Sequence, residues 1–131
     1  MFKSFCLMFL IAGCQTAPQK RTSYENWQSK VTGIYKGIIF SDEIESPGIT
    51  KIYKDANGNF KGDYEFIDKE AKIAGTLYDF QVISPLQLKC RWRDKYGTGD
   101  LSMSFNNSVT KFNGSWNADG KEKKYPWNGT K

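Results

Sequence analysis

An all-β fold, an antiparallel meander of about eight strands that closes into a small up-and-down β-barrel, is predicted by three features of the sequence. Apolar side chains recur with period two beyond Trp27, turn chemistry interrupts them about every eight to twelve residues, and no later stretch carries a helical stripe. Such alternation is what a half-buried strand requires, because successive side chains leave a strand on opposite faces.

The predicted strands cover residues 31–40, 48–54, 60–67, 71–81, 85–94, 99–106, 109–117 and 124–130. The second and third are joined by Asp55-Ala56-Asn57-Gly58-Asn59, and Asn-Gly is the strongest short hairpin signal. In the fifth, Leu86, Leu88, Cys90 and Trp92 alternate with Gln87, Lys89, Arg91 and Arg93. Lys95-Tyr96-Gly97-Thr98-Gly99 then leads to the sixth, where Leu101, Met103 and Phe105 alternate with Ser102, Ser104 and Asn106. Asn106-Asn107-Ser108 opens the seventh, in which Phe112 and Trp116 alternate with Asn113 and Asn117, and Ala118-Asp119-Gly120 ends it. Pro126 has no N–H for a ladder, so the last strand should lie at an edge or begin there. Short links imply that consecutive strands pair, and closing eight of them removes exposed edges.

A loose repeat of apolar, any, Gly, any, aromatic runs through the strands. Phe60-Lys61-Gly62-Asp63-Tyr64 and Phe112-Asn113-Gly114-Ser115-Trp116 carry it, with echoes at Gly33-Ile34-Tyr35, Gly75-Thr76-Leu77-Tyr78 and Trp127-Asn128-Gly129. Strand glycines mark bends, or places where a bulky neighbour covers the backbone, and close approach by a ligand is the alternative. This cadence resembles small β-barrels of the avidin and lipocalin sort in rhythm alone, and no family site residue carries over.

The chain divides into three parts: 1–13, 14–26 and the β-domain 27–131. In the first, Lys3 precedes an apolar run from Phe5 to Ala12, too short to span a bilayer and suited to the core of a cleaved secretion signal. The run ends in Ile11-Ala12-Gly13-Cys14, which resembles the lipobox of bacterial lipoproteins, with Ile where that family prefers Leu. The resemblance implies cleavage between Gly13 and Cys14 and a diacylglyceryl group on the Cys14 sulfur. Beyond that lipid no cofactor and no metal is expected, for want of a motif for either. Two or three acyl chains give a stable anchor where a single one binds only marginally. Gln15, in place of the Asp that retains enterobacterial lipoproteins in the inner membrane, implies an outer-membrane address facing periplasm or surface. Residues 14–26 are polar and aperiodic, a short tether whose Lys20 and Arg21 are suited to anionic head groups.

Of the cysteines, Cys6 leaves with the signal and Cys14 takes lipid, so Cys90 stands alone on an apolar strand face, without a disulfide partner. The net charge is +5, a modest excess that falls short of a nucleic-acid footprint.

The chain has no histidine, which removes the usual general base, the Ser-His and Cys-His pairs and the commonest metal ligand. No phosphate-cradling loop or dinucleotide fingerprint is present. Carboxylates remain: Asp63 and Glu65 share a strand face, and Asp42, Glu43 and Glu45 crowd one loop that lacks calcium-loop spacing. Lys89, Arg91 and Arg93 form a basic stripe aimed away from the core, with Tyr96 beyond it, a candidate grip for anionic groups or a charged outer face. Lys121-Glu122-Lys123-Lys124 reads as a solvated loop. The many bulky inward residues suggest a packed interior, with a mouth lined by Tyr35, Tyr64 or Trp127 as the alternative.

The expectation is a non-enzymatic, lipid-anchored envelope protein whose β-domain binds an envelope protein, an anionic wall polymer or a foreign protein through its surface or rim. A carrier holding an apolar or glycan ligand inside the barrel is the second reading, and a carboxylate-based hydrolase the third.

Overall fold

Alternating side chains and short turns leave each strand paired with the next, and the eighth returns to the first. The computed structural model describes residues 26–131. It forms a closed antiparallel barrel of β1 (Gly33–Ser41), β2 (Ile44–Lys54), β3 (Phe60–Asp68), β4 (Ala71–Ser84), β5 (Gln87–Asp94), β6 (Gly97–Phe105), β7 (Lys111–Ala118) and β8 (Tyr125–Thr130). The leader, the lipobox with Gly13 and Cys14, and the tether through residue 25 lie outside the described residues.

Every predicted strand occurs, and the differences lie at the ends. β2 begins at Ile44, because Asp42 and Glu43 alone make the turn, both at positive φ (54° and 62°). Glu45 is therefore on a strand opposite Phe40, and not in a loop with the other two acids. Lys69 and Glu70 (φ 50° and 72°) make the same kind of turn between β3 and β4. β7 starts at Lys111, since Val109 belongs to the preceding turn at φ 54° and drops its side chain, fully buried, into the core. The amide side chain of Asn106 holds that turn by accepting from the N–H groups of Thr110 and Lys111. Pro126 falls at the start of β8, before its pairing with β1 begins at Trp127, where no ladder donor is needed.

Inward positions make one core, including Tyr35, Ile39, Ile52, Tyr64, Leu77, Leu88, Leu101, Met103, Phe112 and Trp127. Three glycines of the repeat, Gly75, Gly114 and Gly129, and two outside it, Gly48 and Gly99, lie opposite rings on the neighbouring strand, whereas Gly62 lies opposite Leu77. Tyr64 pairs with Gly75, Trp92 with Gly99, Phe112 with Gly129, Trp127 with Gly114 and Phe66 with Gly48. A methyl group on Gly75 would collide with the Tyr64 ring, and one on Gly99 with Trp92. The missing side chains thus make room for bulky rings inside a narrow barrel, the structural reading of the repeat.

The two ends differ. At one, a 3₁₀ turn, Trp27–Lys30, closes the barrel: Trp27 packs against Phe105 (6.2 Å between ring centroids), and the buried Tyr35 hydroxyl donates to the Val31 carbonyl at 2.7 Å. The C-terminus fastens this plug, with Lys131 Nζ donating to the Lys30 carbonyl at 2.5 Å. The opposite end, bounded by the turns after β1, β3, β5 and β7, has no such plug among the described residues.

Candidate functional site

In a meander, the C-terminal ends of odd-numbered strands and the N-terminal ends of even-numbered ones share one rim. Alternation makes Ile39 and Ser41 of β1, Phe66 and Tyr64 of β3, Trp92 and Asp94 of β5, Trp116 of β7 and Trp127 of β8 converge there. With Tyr96 from the β5–β6 turn they line a recess of about 100 Å³ at the open end. This is small beside the roughly 300–1,000 Å³ typical of ligand pockets, so it has room for a compact head group only.

The walls are aromatic and mutually braced. Tyr64 meets Trp127 edge-on with centroids 4.7 Å apart, and Trp92 meets Trp116 edge-on at 5.4 Å. The three indole N–H groups are turned to acceptors in the barrel wall: Trp92 to the Asn117 carbonyl (3.3 Å), Trp116 to the Phe40 carbonyl (2.9 Å) and Trp127 to the Thr50 hydroxyl (2.9 Å). Asp94 is the carboxylate of the lining. It accepts from the Tyr64 hydroxyl at 2.6 Å and from the Tyr96 N–H at 2.8 Å. Burial, and next the bond to Asp94, push the Tyr64 hydroxyl far above its usual range, so it stays protonated and donating. Tyr96, more than half exposed, arches over the rim and donates to Asp68 of β3 at 2.5 Å.

The structure places the sequence-derived candidates as follows. Of the three residues of the alternative reading, Tyr64 and Trp127 line the mouth, but Tyr35 is buried at the plugged end, because β1 starts there. Lys89, Arg91 and Arg93 do share the outer face of β5, but they are not bare. Arg91 grips Asp119 with both terminal nitrogens (2.7 and 2.6 Å) and reaches Asp100 at 3.0 Å. Lys89 lies 3.9 Å from Asp100, and the Arg93 guanidinium sits over the Tyr78 ring. An external anion at Arg91 therefore competes with a bidentate carboxylate already in place. Asp63 and Glu65 face outward on β3, Glu65 paired with Lys72 at 3.1 Å.

Cys90 is buried, and burial raises its thiol far above the ordinary range, so it packs as a small apolar group. Among the described residues, no cluster of three or more potential metal ligands occurs, and no helix is long and apolar enough to cross a membrane.

Compared with protein-family models, curated proteins and solved structures, the chain matches none. The site must be read from its own chemistry.

The residues that sequence reasoning missed are Trp92 and Trp116 as mouth residues, with Asp94, Ile39, Ser41 and Phe66. Period two assigns the apolar ones to the interior. Strand direction, odd strands running toward this rim, is the further signal that assigns them to one end.

Proposed function

We propose that this protein is a non-enzymatic binding module of a bacterial cell envelope, anchored by lipid on Cys14 and engaging its partner through the open rim of the barrel. The polarity of the barrel carries this reading. The chain enters at the plugged end, at Trp27, whereas the aromatic recess opens at the opposite end. A lipid anchor upstream of Trp27 attaches at the plugged end and leaves the recess clear of the attachment point, open to a partner in the periplasm or at the surface. Gln15 supports an outer-membrane address.

A carrier enclosing an apolar or glycan ligand is less well supported, because bulky side chains fill the barrel axis and leave only the shallow recess. For a carboxylate hydrolase the recess offers Asp94 alone, and the acid pair Asp63 and Glu65 lines a groove on the outer wall where Glu65 is held by Lys72 at 3.1 Å.

The anchor is tested by metabolic labelling with fatty acid and membrane fractionation. The wild-type chain incorporates label and sediments with membranes, and Cys14→Ser loses both properties. Label and sedimentation that survive the substitution would refute the anchor.

A further inference from the structure

We propose that the recess at the open end binds a compact organic cation, an alkylammonium or quaternary ammonium head group, seated against the aromatic walls with Asp94 as its counter-ion. The proposal deepens the rim-binding reading and rests on it.

Three observations converge. The first is what the recess offers to a ligand. Its walls are Tyr64, Phe66, Trp92, Trp116 and Trp127, of which Trp116 is the most open and the others are almost fully buried. Aromatic rings attract cations through their quadrupole, Trp most strongly. The second is the shortage of donors. All three indole N–H groups, both tyrosine hydroxyls and the Tyr96 N–H are already spent on protein acceptors, which leaves the Ser41 hydroxyl as the side-chain donor without a partner among the described residues. A neutral hydroxyl-rich ligand needs donors as well as acceptors, and an anion needs donors above all. A cation needs no donor, and a quaternary ammonium needs no acceptor either.

The third observation is charge. The Asp94 carboxylate accepts two hydrogen bonds, which leaves lone pairs free, and among the described residues no lysine or arginine lies within ion-pair distance of it. Asp68 and Asp42 flank the same rim, and Asp42 alone is paired, with the exposed Lys69 at 3.6 Å. The Lys95 ammonium lies 5.3 Å from the Tyr96 ring centroid on the rim, within cation–π range. The recess volume of about 100 Å³ restricts the ligand to a small head group.

The test uses the full chain in detergent and its intrinsic fluorescence, because three of the four tryptophans line the recess. Choline is titrated against 3,3-dimethylbutan-1-ol, its neutral isostere, and against methyl glucoside, with sodium chloride holding ionic strength constant. Choline should give a saturable change, and the neutral alcohol should bind about tenfold more weakly or worse. Asp94→Asn keeps an acceptor for Tyr64 but removes the charge, and should weaken choline by about tenfold. Tyr96→Ala, on an exposed turn, should weaken it too and serves as the second variant if Asp94→Asn does not fold. Equal binding of alcohol and choline, or tighter binding of the glucoside, overturns the cation while leaving the recess a binding site. No saturable change with any probe overturns both the cation and the recess, and leaves the Cys14 anchor to its own test.

Discussion

Asp119 shows how single side chains set the electrostatics of the outer wall. Arg91, and next Thr98, hold its carboxyl down to about 2 from an ordinary value of 3.8. A group whose pKa is lower in the folded state than in the unfolded chain stabilises the fold above the unfolded value, and that contribution is lost as pH falls through the folded one. The wild type should therefore lose thermal stability between pH 3.8 and about 2 faster than Asp119→Asn does. Above that window the variant should melt lower by a constant margin, and the two curves should converge at the acid end. The site is solvent-exposed, so added salt should shrink the margin. Parallel melting curves across the window would show that the Arg91–Asp119 fork contributes nothing to folding. The same fork explains why the stripe Lys89, Arg91 and Arg93 looked barer in sequence than it is. Asp100 is nine residues and Asp119 twenty-eight residues from Arg91, and only the β5–β6–β7 pairing brings them together.

At the scale of elements, strands were legible because the barrel has one wet face and one dry face, which forces period two on the sequence. What escaped was a turn that breaks the usual composition. The β1–β2 and β3–β4 hairpins place Asp42-Glu43 and Lys69-Glu70 at positive φ, where Asn-Gly is the expected pair. The break at 68–70 was legible between two alternating runs, but the β1–β2 turn, without a glycine, did not announce itself. Pro47 then reads as a loop residue, although it sits within β2 beside Gly48, which admits the Ile39 and Phe66 side chains. The recess was half legible: its aromatics follow from alternation, but its membership depends on strand direction and on a turn, at Tyr96, that alternation does not describe. The tight turns also make a prediction. A left-handed conformation costs a non-glycine residue roughly 1–2 kcal/mol, partly offset by the backbone entropy that glycine loses on folding. Replacing Lys69-Glu70 by Asn-Gly should raise stability by about 1 kcal/mol in denaturant unfolding, less the small worth of the exposed Lys69–Asp42 pair. A lower midpoint would mean that side-chain contacts, and not backbone strain, set that turn.

For the whole molecule, the decisive step is closure. β1 and β8 share four register pairs, Lys36–Ile39 against Trp127–Thr130, while the other seams have six to nine. This seam is the shortest, and it joins the two ends of the domain, so forming it closes the longest loop and carries the largest entropic cost. It also completes the site, because Trp127 reaches the recess only when β8 is docked. The Lys131 contact to Lys30 ties the same closure to the plug at the far end. Gly37 lies at the centre of the seam, and any side chain there would run into the Asn128 backbone carbonyl. Gly37→Val should therefore wedge β1 from β8 at a cost of about 1–3 kcal/mol, as overpacked sites do. Hydrogen exchange reads where that cost falls: the amides of Lys36–Ile39 and Trp127–Thr130 should lose protection, while those of β3 to β6 keep theirs. Loss spread evenly over all eight strands would show that the barrel opens as a single unit, with no weak seam between its ends.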